Sequence, residues 1–191
     1  MQITSIVKKK ADVYEIFVDG EYCAIVDGVV LASRRLKIGS TVDESTIDEI
    51  KYASGVTFAF GDAIKYLSRA RHTQMEVESK LQTKGYDDIA ISGAINKLVE
   101  YGYIDDEGYA KAYVAIYSNT RGKNRLRYEL TQKGVSRSII DTVLPEDEYA
   151  SCFSLADKKK SRYQDKDKLT RYLLGRGYEY EVVRRVVADL E

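Results

Sequence analysis

Leu81-Gln82-Thr83-Lys84-Gly85, Leu130-Thr131-Gln132-Lys133-Gly134 and Leu173-Leu174-Gly175-Arg176-Gly177 are three copies of one pattern, Leu-x-x-(Lys/Arg)-Gly. Each has an apolar residue four positions before its leucine: Val77, Leu126 and Leu169. Each has an apolar or aromatic residue directly after its glycine: Tyr86, Val135 and Tyr178. Residues four apart share a helix face. A basic residue in the last turn faces the negative end of the helix dipole, and glycine at C′ takes the left-handed conformation that stops the helix. Asp87 and Ser136 stand two residues past the glycine, where the next helix needs an N-cap; Glu179, a poorer cap, holds that place in the third copy. A second apolar face follows in matching register: Ala90, Ile91, Ala94, Ile95, Leu98; then Ile139, Ile140, Val143, Leu144; then Val182, Val183, Val186, Val187, Leu190. One helix–Gly–helix means little, whereas three in register specify a tandem array.

Working outward, each unit gains a lead helix. Asp62–Arg71 carries Ile64 and Leu67, Ile104-Asp105-Asp106-Glu107 opens a helix with Tyr109, Tyr113 and Ile116, and the third lead helix begins near Glu148 with Phe153, Leu155 and Ala156. Thr73-Gln74-Met75-Glu76 reads as a capping box. Gly122 precedes the second middle helix, and Pro145, the one proline, separates the second and third units. The N-terminal part reads differently. Ile3–Val7, Asp12–Val18 and Glu21–Val26 are strands, Asp19-Gly20 is a hairpin turn, Asp27-Gly28 is a second turn before apolar Val29–Leu31, and Asp43–Ser54 is a short acidic helix. The fold class is therefore mostly α: three tandem three-helix repeats preceded by a small β-sheet subdomain of three or four strands. The expected boundaries are 1–55, 56–104, 105–145 and 146–191, with β pattern giving way to helix near Gly55.

The chain has 191 residues with 30 basic and 30 acidic side chains, and zero net charge argues against a generic polyanion binder. The charge is unevenly placed. Arg121, Lys123, Arg125, Arg127, Lys133 and Arg137 face only Glu129 between Tyr117 and Arg137, and seven basic residues lie between Lys158 and Arg171 against Asp165 and Asp167. From Tyr86 to Tyr109 the balance is acidic. Cys23 and Cys152, far apart, read as two thiols in a reducing compartment. No signal peptide or membrane-length apolar run is apparent, so a cytoplasmic protein is expected. The one histidine, His72, belongs to no metal-ligand cluster, no phosphate-binding glycine loop follows a strand, and the carboxylates sit at helix starts where capping explains them. No catalytic residue, metal or cofactor is expected, and the protein is not read as an enzyme.

Several of these stretches together resemble the bacterial RecX family. They are Tyr66-Leu67-Ser68-Arg69-Ala70-Arg71, Glu78–Leu81 with Lys84-Gly85, Gly102-Tyr103-Ile104-Asp105-Asp106-Glu107, Tyr109-Ala110, Arg121-Gly122, Arg127–Leu130 and Lys133-Gly134-Val135. The resemblance covers Asp62 to Glu191, and extends more loosely over the β part, which resembles an extension found in some members. Val77 and Thr73 depart from the leucine and serine common at those places. The resemblance implies a regulator of the RecA recombinase. Such a protein would be a monomer of helical repeats lying in the groove of the RecA–DNA filament, and would inhibit strand exchange, ATP hydrolysis and co-protease activity. Its partners would be RecA and single-stranded or filament-bound DNA, with no membrane. A rival reading is an independent nucleic-acid-binding repeat protein, which overall neutrality disfavours.

Candidate RecA- or DNA-contacting residues are Arg69, Arg71, Arg121, Lys123, Arg125, Arg127, Lys158, Lys159, Lys160 and Arg162. By helical spacing Arg121, Arg125 and Gln132 share one face, with Lys123 and Arg127 across the Leu126/Leu130 stripe. The bland account is that their stems cover the edge of the core. Lys84, Lys133 and Arg176 read as dipole partners. The 16 tyrosines could stack on bases, but Tyr86, Tyr128 and Tyr178 fall in the repeat pattern and read as packing residues.

Overall fold

A computed structural model describes residues 1–163 and 165–190. Gln164 and Glu191, the last residue of the expected third repeat, lie outside the described residues. The chain divides into two compact units: residues 1–71 with 77–104, and residues 72–76 with 105–191.

In the first unit, β1 (Ile3–Lys10), β2 (Val13–Val18) and β3 (Glu21–Asp27) form an antiparallel meander in the order β1-β2-β3. Asp19 and Gly20 both have positive φ (50° and 91°), the geometry of the tight hairpin turn. Among the described residues the sheet has three strands. Val29–Leu31 belongs instead to a short helix, α1 (Gly28–Ser33), because the Asp27 carboxylate caps it by accepting from the Val29 N–H at 2.8 Å. Ile16, Ala24 and Val26 of the sheet, Val30 and Leu31 of α1, and Ile50 beyond them form one core cluster.

The two helices expected at Asp43–Ser54 and Asp62–Arg71 are one helix, α2 (Glu44–Leu67), capped by Asp43. Gly55, where the sequence suggested a boundary, lies inside it. The glycine does not break the helix because it serves packing: a Cβ there would stand 3.2 Å from the Cβ of Ala90 on α4 (Asp88–Glu100). Gly93 on α4 answers it, since a Cβ would meet Val56 Cγ2 at 2.6 Å. Small residues let the two helices cross closely. Ala59, Ala63, Val77, Leu81, Ile91, Ala94, Ile95, Leu98 and Ile104 then form the core of the first repeat, joined by α3 (Gln74–Thr83).

The second unit holds α5 (Asp106–Tyr117), α6 (Lys123–Gln132), α7 (Arg137–Val143), α8 (Tyr149–Lys159), α9 (Lys166–Gly175) and α10 (Tyr180–Asp189). Each helix triplet buries most of the face that the periodicity marked; Ile116, expected on the face of the second lead helix, is instead 68% exposed. Ala110, Val114, Leu126, Leu130, Val135 and Ile140 pack in one, and Cys152, Leu155, Ala156, Leu169, Leu173, Tyr178, Val183 and Val186 in the other.

The motif's glycines, Gly85, Gly134 and Gly177, have φ of 86°, 79° and 88°. Their backbone bonds are the same in each copy. The glycine N–H donates to Gln82, Thr131 or Leu174 O, and the next N–H donates to Leu81, Leu130 or Leu173 O. This is the Schellman pattern, in which the residue after glycine packs on the motif leucine. A fourth stop of this kind, at Gly102 (φ 71°), has Tyr101 where the others have Lys or Arg, so it falls outside the Leu-x-x-(Lys/Arg)-Gly pattern. Asp87 and Ser136 cap α4 and α7 through Ala90 and Ile139 N–H; Glu179 makes no side-chain cap. The capping box is reciprocal: Glu76 N–H donates to Thr73 Oγ1 (3.3 Å) and Thr73 N–H to Glu76 Oε2 (3.2 Å).

Candidate functional site

Within the second unit, the start of one middle helix docks on the glycine stop of the next repeat, twice. Thr73 Oγ1, at the start of α3, donates to Lys133 O at 2.6 Å. Gly122 and Asn124, at the start of α6, donate their N–H groups to Arg176 and Gly177 O at 2.9 and 3.0 Å. Contact is backbone on backbone: a Cβ on Gly122 would lie 2.2 Å from Tyr178 N. Glu148, 3% exposed, locks the second junction. Its two carboxylate oxygens accept from Lys123 N–H and Glu179 N–H, each at 2.6 Å, so one buried side chain supplies the cap that Gly122 and Glu179 lack.

This junction sets the positions of the candidate cations. Arg121 lies before α6, not on it, because Gly122 is extended (φ −77°, ψ 168°) and the helix starts at Lys123. The expected shared helical face of Arg121, Arg125 and Gln132 therefore gives way to a different grouping around Glu129. Arg121 bonds Glu129 Oε2 and Tyr113 Oη, with its guanidinium 3.8 Å from the Tyr117 ring centroid. Arg125 Nε bonds Glu129 Oε1 at 2.6 Å. Burial would raise the Glu129 pKa, but Arg125, Tyr113 and Arg121 together hold it below the usual carboxylate range. Arg121 is thus largely a structural cation, while Arg125 keeps half its side chain exposed. Lys123 Nζ donates to Glu146 O, and Arg127 lies 3.7 Å from Asp141.

Lys158 and Lys159 end α8, and Lys160 is its C-cap. Lys160 pairs with Asp157 at 2.7 Å, and Arg162 lies over the Tyr163 ring at 5.7 Å. Lys158 and Arg162 are exposed and Lys159 half-buried. Arg69 and Arg71 are exposed in the first unit, after α2, so the structure describes them apart from the others.

Of the dipole partners, Lys84 bonds Asp62 at 2.8 Å, and Lys133 bonds Glu76 at 2.8 Å, which raises its pKa. Arg176 differs, and sequence reasoning missed its setting. It joins Arg121, Arg125, Glu129 and Gly175 around an open cavity of about 290 Å³. Tyr178 is buried as expected and the Tyr86 hydroxyl donates to Asp62, but Tyr128 is 57% exposed, with Arg125 over its ring at 5.8 Å. Tyr128 points away from the core because it lies between the Leu126/Leu130 positions that fill it. Both cysteines are free thiols, and burial pushes the Cys152 pKa up to about 12. His72 Nδ1 lies 3.2 Å from Glu76 Oε2. Among the described residues no group of three His, Cys, Asp or Glu side chains could hold a metal, and no helix is long and apolar enough to cross a membrane.

The comparisons with known proteins match this architecture repeat by repeat. The first, second and third three-helix domains of RecX match residues 59–98, 105–144 and 146–187. The chain is 31% identical over 194 residues to a regulatory protein RecX of Clostridium botulinum (strain Alaska E43 / Type E3), covering 95% of this chain and 92% of that one. It is 32% identical over 201 residues to one from Caldanaerobacter subterraneus subsp. tengcongensis, covering 98% of each. A crystal structure of regulatory protein RecX superposes with a TM-score of 0.75 at 29% identity, over 97% of this chain and 98% of that one. The structure of RecX from Lactobacillus salivarius gives 0.66 at 28% identity, over 72% and 97%.

Proposed function

This chain belongs to the RecX family, and from that premise we propose that it binds RecA and RecA–DNA filaments and lowers recombinase, ATPase and co-protease activity. The observation that carries the reading is the match of all three RecX domains, in order, to the three helical repeats. In this reading the protein acts by binding rather than by catalysis. Its contacts come from the exposed candidate cations, Arg69 and Arg71 in the first unit and Arg125, Lys158 and Arg162 in the second, with half-buried Arg127 and Lys159 beside them. Arg121, Lys123 and Lys160 contribute less, because Glu129, the Glu146 carbonyl and Asp157 already engage them.

The test is co-sedimentation of the full chain with RecA filaments on single-stranded DNA, beside DNA alone, with ATP hydrolysis measured in parallel. Tighter binding to filaments and reduced hydrolysis at sub-stoichiometric protein are expected. Equal affinity for both targets with unchanged hydrolysis would refute the proposal and favour an independent nucleic-acid-binding protein.

A further inference from the structure

The sheet of the first unit has two edges, and they are protected unequally. Along β1, Ser40 O accepts from Ile3 N–H at 2.9 Å and Ile3 O accepts from Gly39 N–H at 2.8 Å, and the strand ends in Lys8-Lys9-Lys10. A covering loop and lysines both keep an edge from pairing with another chain. β3 has neither lysine nor proline, and among the described residues no fourth strand lies beside it. Its Tyr22 and Ile25 are 58% and 48% exposed.

The ladder shows which way the free backbone groups of β3 point. Gly28 N–H donates to Asp12 O across the sheet, whereas Asp27 N–H turns outward to Ser54 Oγ on α2 at 3.2 Å. Ile25, two residues earlier and opposite Glu15, directs its N–H and C=O outward as well. Nothing among the described residues pairs with them. Ile25 borders a groove of about 970 Å³, with Asp27, Thr57, Phe58, Gly61 and Tyr86 also on its walls.

Gly61 is a second, independent sign. It lies inside α2, where glycine weakens a helix. Gly55 and Gly93 admit a neighbouring helix, but a Cβ on Gly61 would meet nothing within 4 Å. No contact inside the unit accounts for the missing side chain, and its absence leaves room on the groove wall beside Phe58.

We propose that this groove receives an extended segment of another protein as a fourth strand on β3, with one bulky apolar side chain seated over Gly61. Strand addition draws affinity from main-chain bonds and specificity from alternate side chains. Because α2 stands beside the edge, one strand fits and the sheet of a second copy does not. The lining cations already have carboxylates, Lys9 with Glu15 and Lys65 with Asp62, each at 3.3 Å. An uncharged, β-branched segment therefore suits the groove better than an acidic or basic one. The inference goes beyond the filament reading, which draws on exposed cations and not on this edge.

The test is selection of random displayed peptides of about eight residues, the span of a strand, on the full chain, with Gly61→Leu as the counter-target. Enriched peptides should alternate β-branched residues around one Phe, Leu or Ile. Synthesised and labelled with fluorescein, they should bind Gly61→Leu about tenfold or more weakly by anisotropy, as loss of a seat for one large apolar side chain requires. Gly61→Ala, which favours the helix, should weaken binding by a smaller factor; it remains informative if the Leu protein folds poorly. N-methylation of successive peptide amides should block binding at every second position, because an added strand donates only alternate N–H groups to β3. Hydrogen exchange at Ile25 N–H should slow in the complex. Failure to enrich any peptide on the wild type above the Gly61→Leu background would overturn the proposal. So would an N-methylation scan without alternation, which would mean docking through side chains alone. A doubled mass in light scattering that Ile25→Lys abolishes would give the edge to a second copy and overturn it too.

Discussion

Gly122→Ala tests whether the second junction depends on backbone contact. The φ of Gly122 is −77°, which alanine adopts freely, so its local conformation predicts a gain of about 0.4–1 kcal/mol from the less flexible unfolded chain. The surroundings predict the reverse. A Cβ would lie 2.2 Å from Tyr178 N, 2.3 Å from Gly177 C and 2.4 Å from Gly177 O. These are backbone atoms of the helix stop, and they cannot retreat without disturbing the bond from Tyr178 N–H to Leu173 O. Overpacking of this kind costs about 1–3 kcal/mol. Parting the two chains also weakens the bonds to Arg176 O and Gly177 O, at about 1 kcal/mol each. The net expectation is a loss of about 2–4 kcal/mol. Two other glycines calibrate it. Gly85→Ala has positive φ and nothing within 4 Å, so it should cost about 1 kcal/mol from conformation alone. Gly61→Ala lies within α2 with open space around its Cβ and should gain about 0.5–1 kcal/mol. Urea titrations followed by circular dichroism would rank the three. A Gly122→Ala midpoint no lower than that of Gly85→Ala would refute the argument from close approach.

Other perturbations follow from the same contacts. Gly134→Ala combines positive φ with a Cβ 2.4 Å from Met75 Cβ, so it should lower the urea midpoint more than Gly85→Ala; an equal effect would show that the Met75 side yields freely. Glu148→Leu should destabilise by about 2–5 kcal/mol in the same titration, because it leaves the Lys123 and Glu179 N–H groups unpaired inside the protein. Asp62, Glu76 and Glu129 have pKa values below their usual ones: Lys84 holds Asp62 down, Lys133 outweighs the burial that would raise Glu76, and Arg125 does so at Glu129. Groups with depressed folded pKa values stabilise above their unfolded values, 3.8 for Asp and 4.5 for Glu here. Melting temperature should therefore fall as pH drops below that range, and Glu76→Gln should flatten the fall. Half-buried Cys23 should react with a thiol reagent in the native protein, and Cys152 only after unfolding; rapid reaction of both would contradict the packing around Cys152.

Local chemistry was legible in the sequence wherever a few neighbouring residues decide the outcome. Leu81, Leu130 and Leu173 with their glycines announced the helix stops, since the Schellman turn closes within six residues. Asp87, Ser136 and the Thr73–Glu76 box announced helix starts for the same reason. Asp19-Gly20 fixed a hairpin. Gly55 reads as a helix boundary in the sequence but lies inside α2, where its neighbour is Ala90 on another helix. A glycine that breaks a helix and one that admits a second helix look alike until the fold brings the partner near.

The charged surface divides the same way. Composition marked Arg121–Arg127 and Lys158–Arg162 as basic segments, but not which cations were already engaged. Glu129 binds Arg121 and Arg125, Glu146 O receives Lys123, and Asp157 pairs with Lys160. Arg176 seemed interchangeable with Lys84 and Lys133, because all three occupy one motif position. Asp62 and Glu76 neutralise two of them, whereas the third lies over Tyr172 and has no ion-pair partner among the described residues. The sequence by itself determined the helices, their stops and the repeat, because backbone conformation and amphipathic spacing act over a few residues. Tertiary structure alone decided which charges stay uncompensated, because an ion pair depends on a few ångströms between side chains that the chain order places up to 57 residues apart.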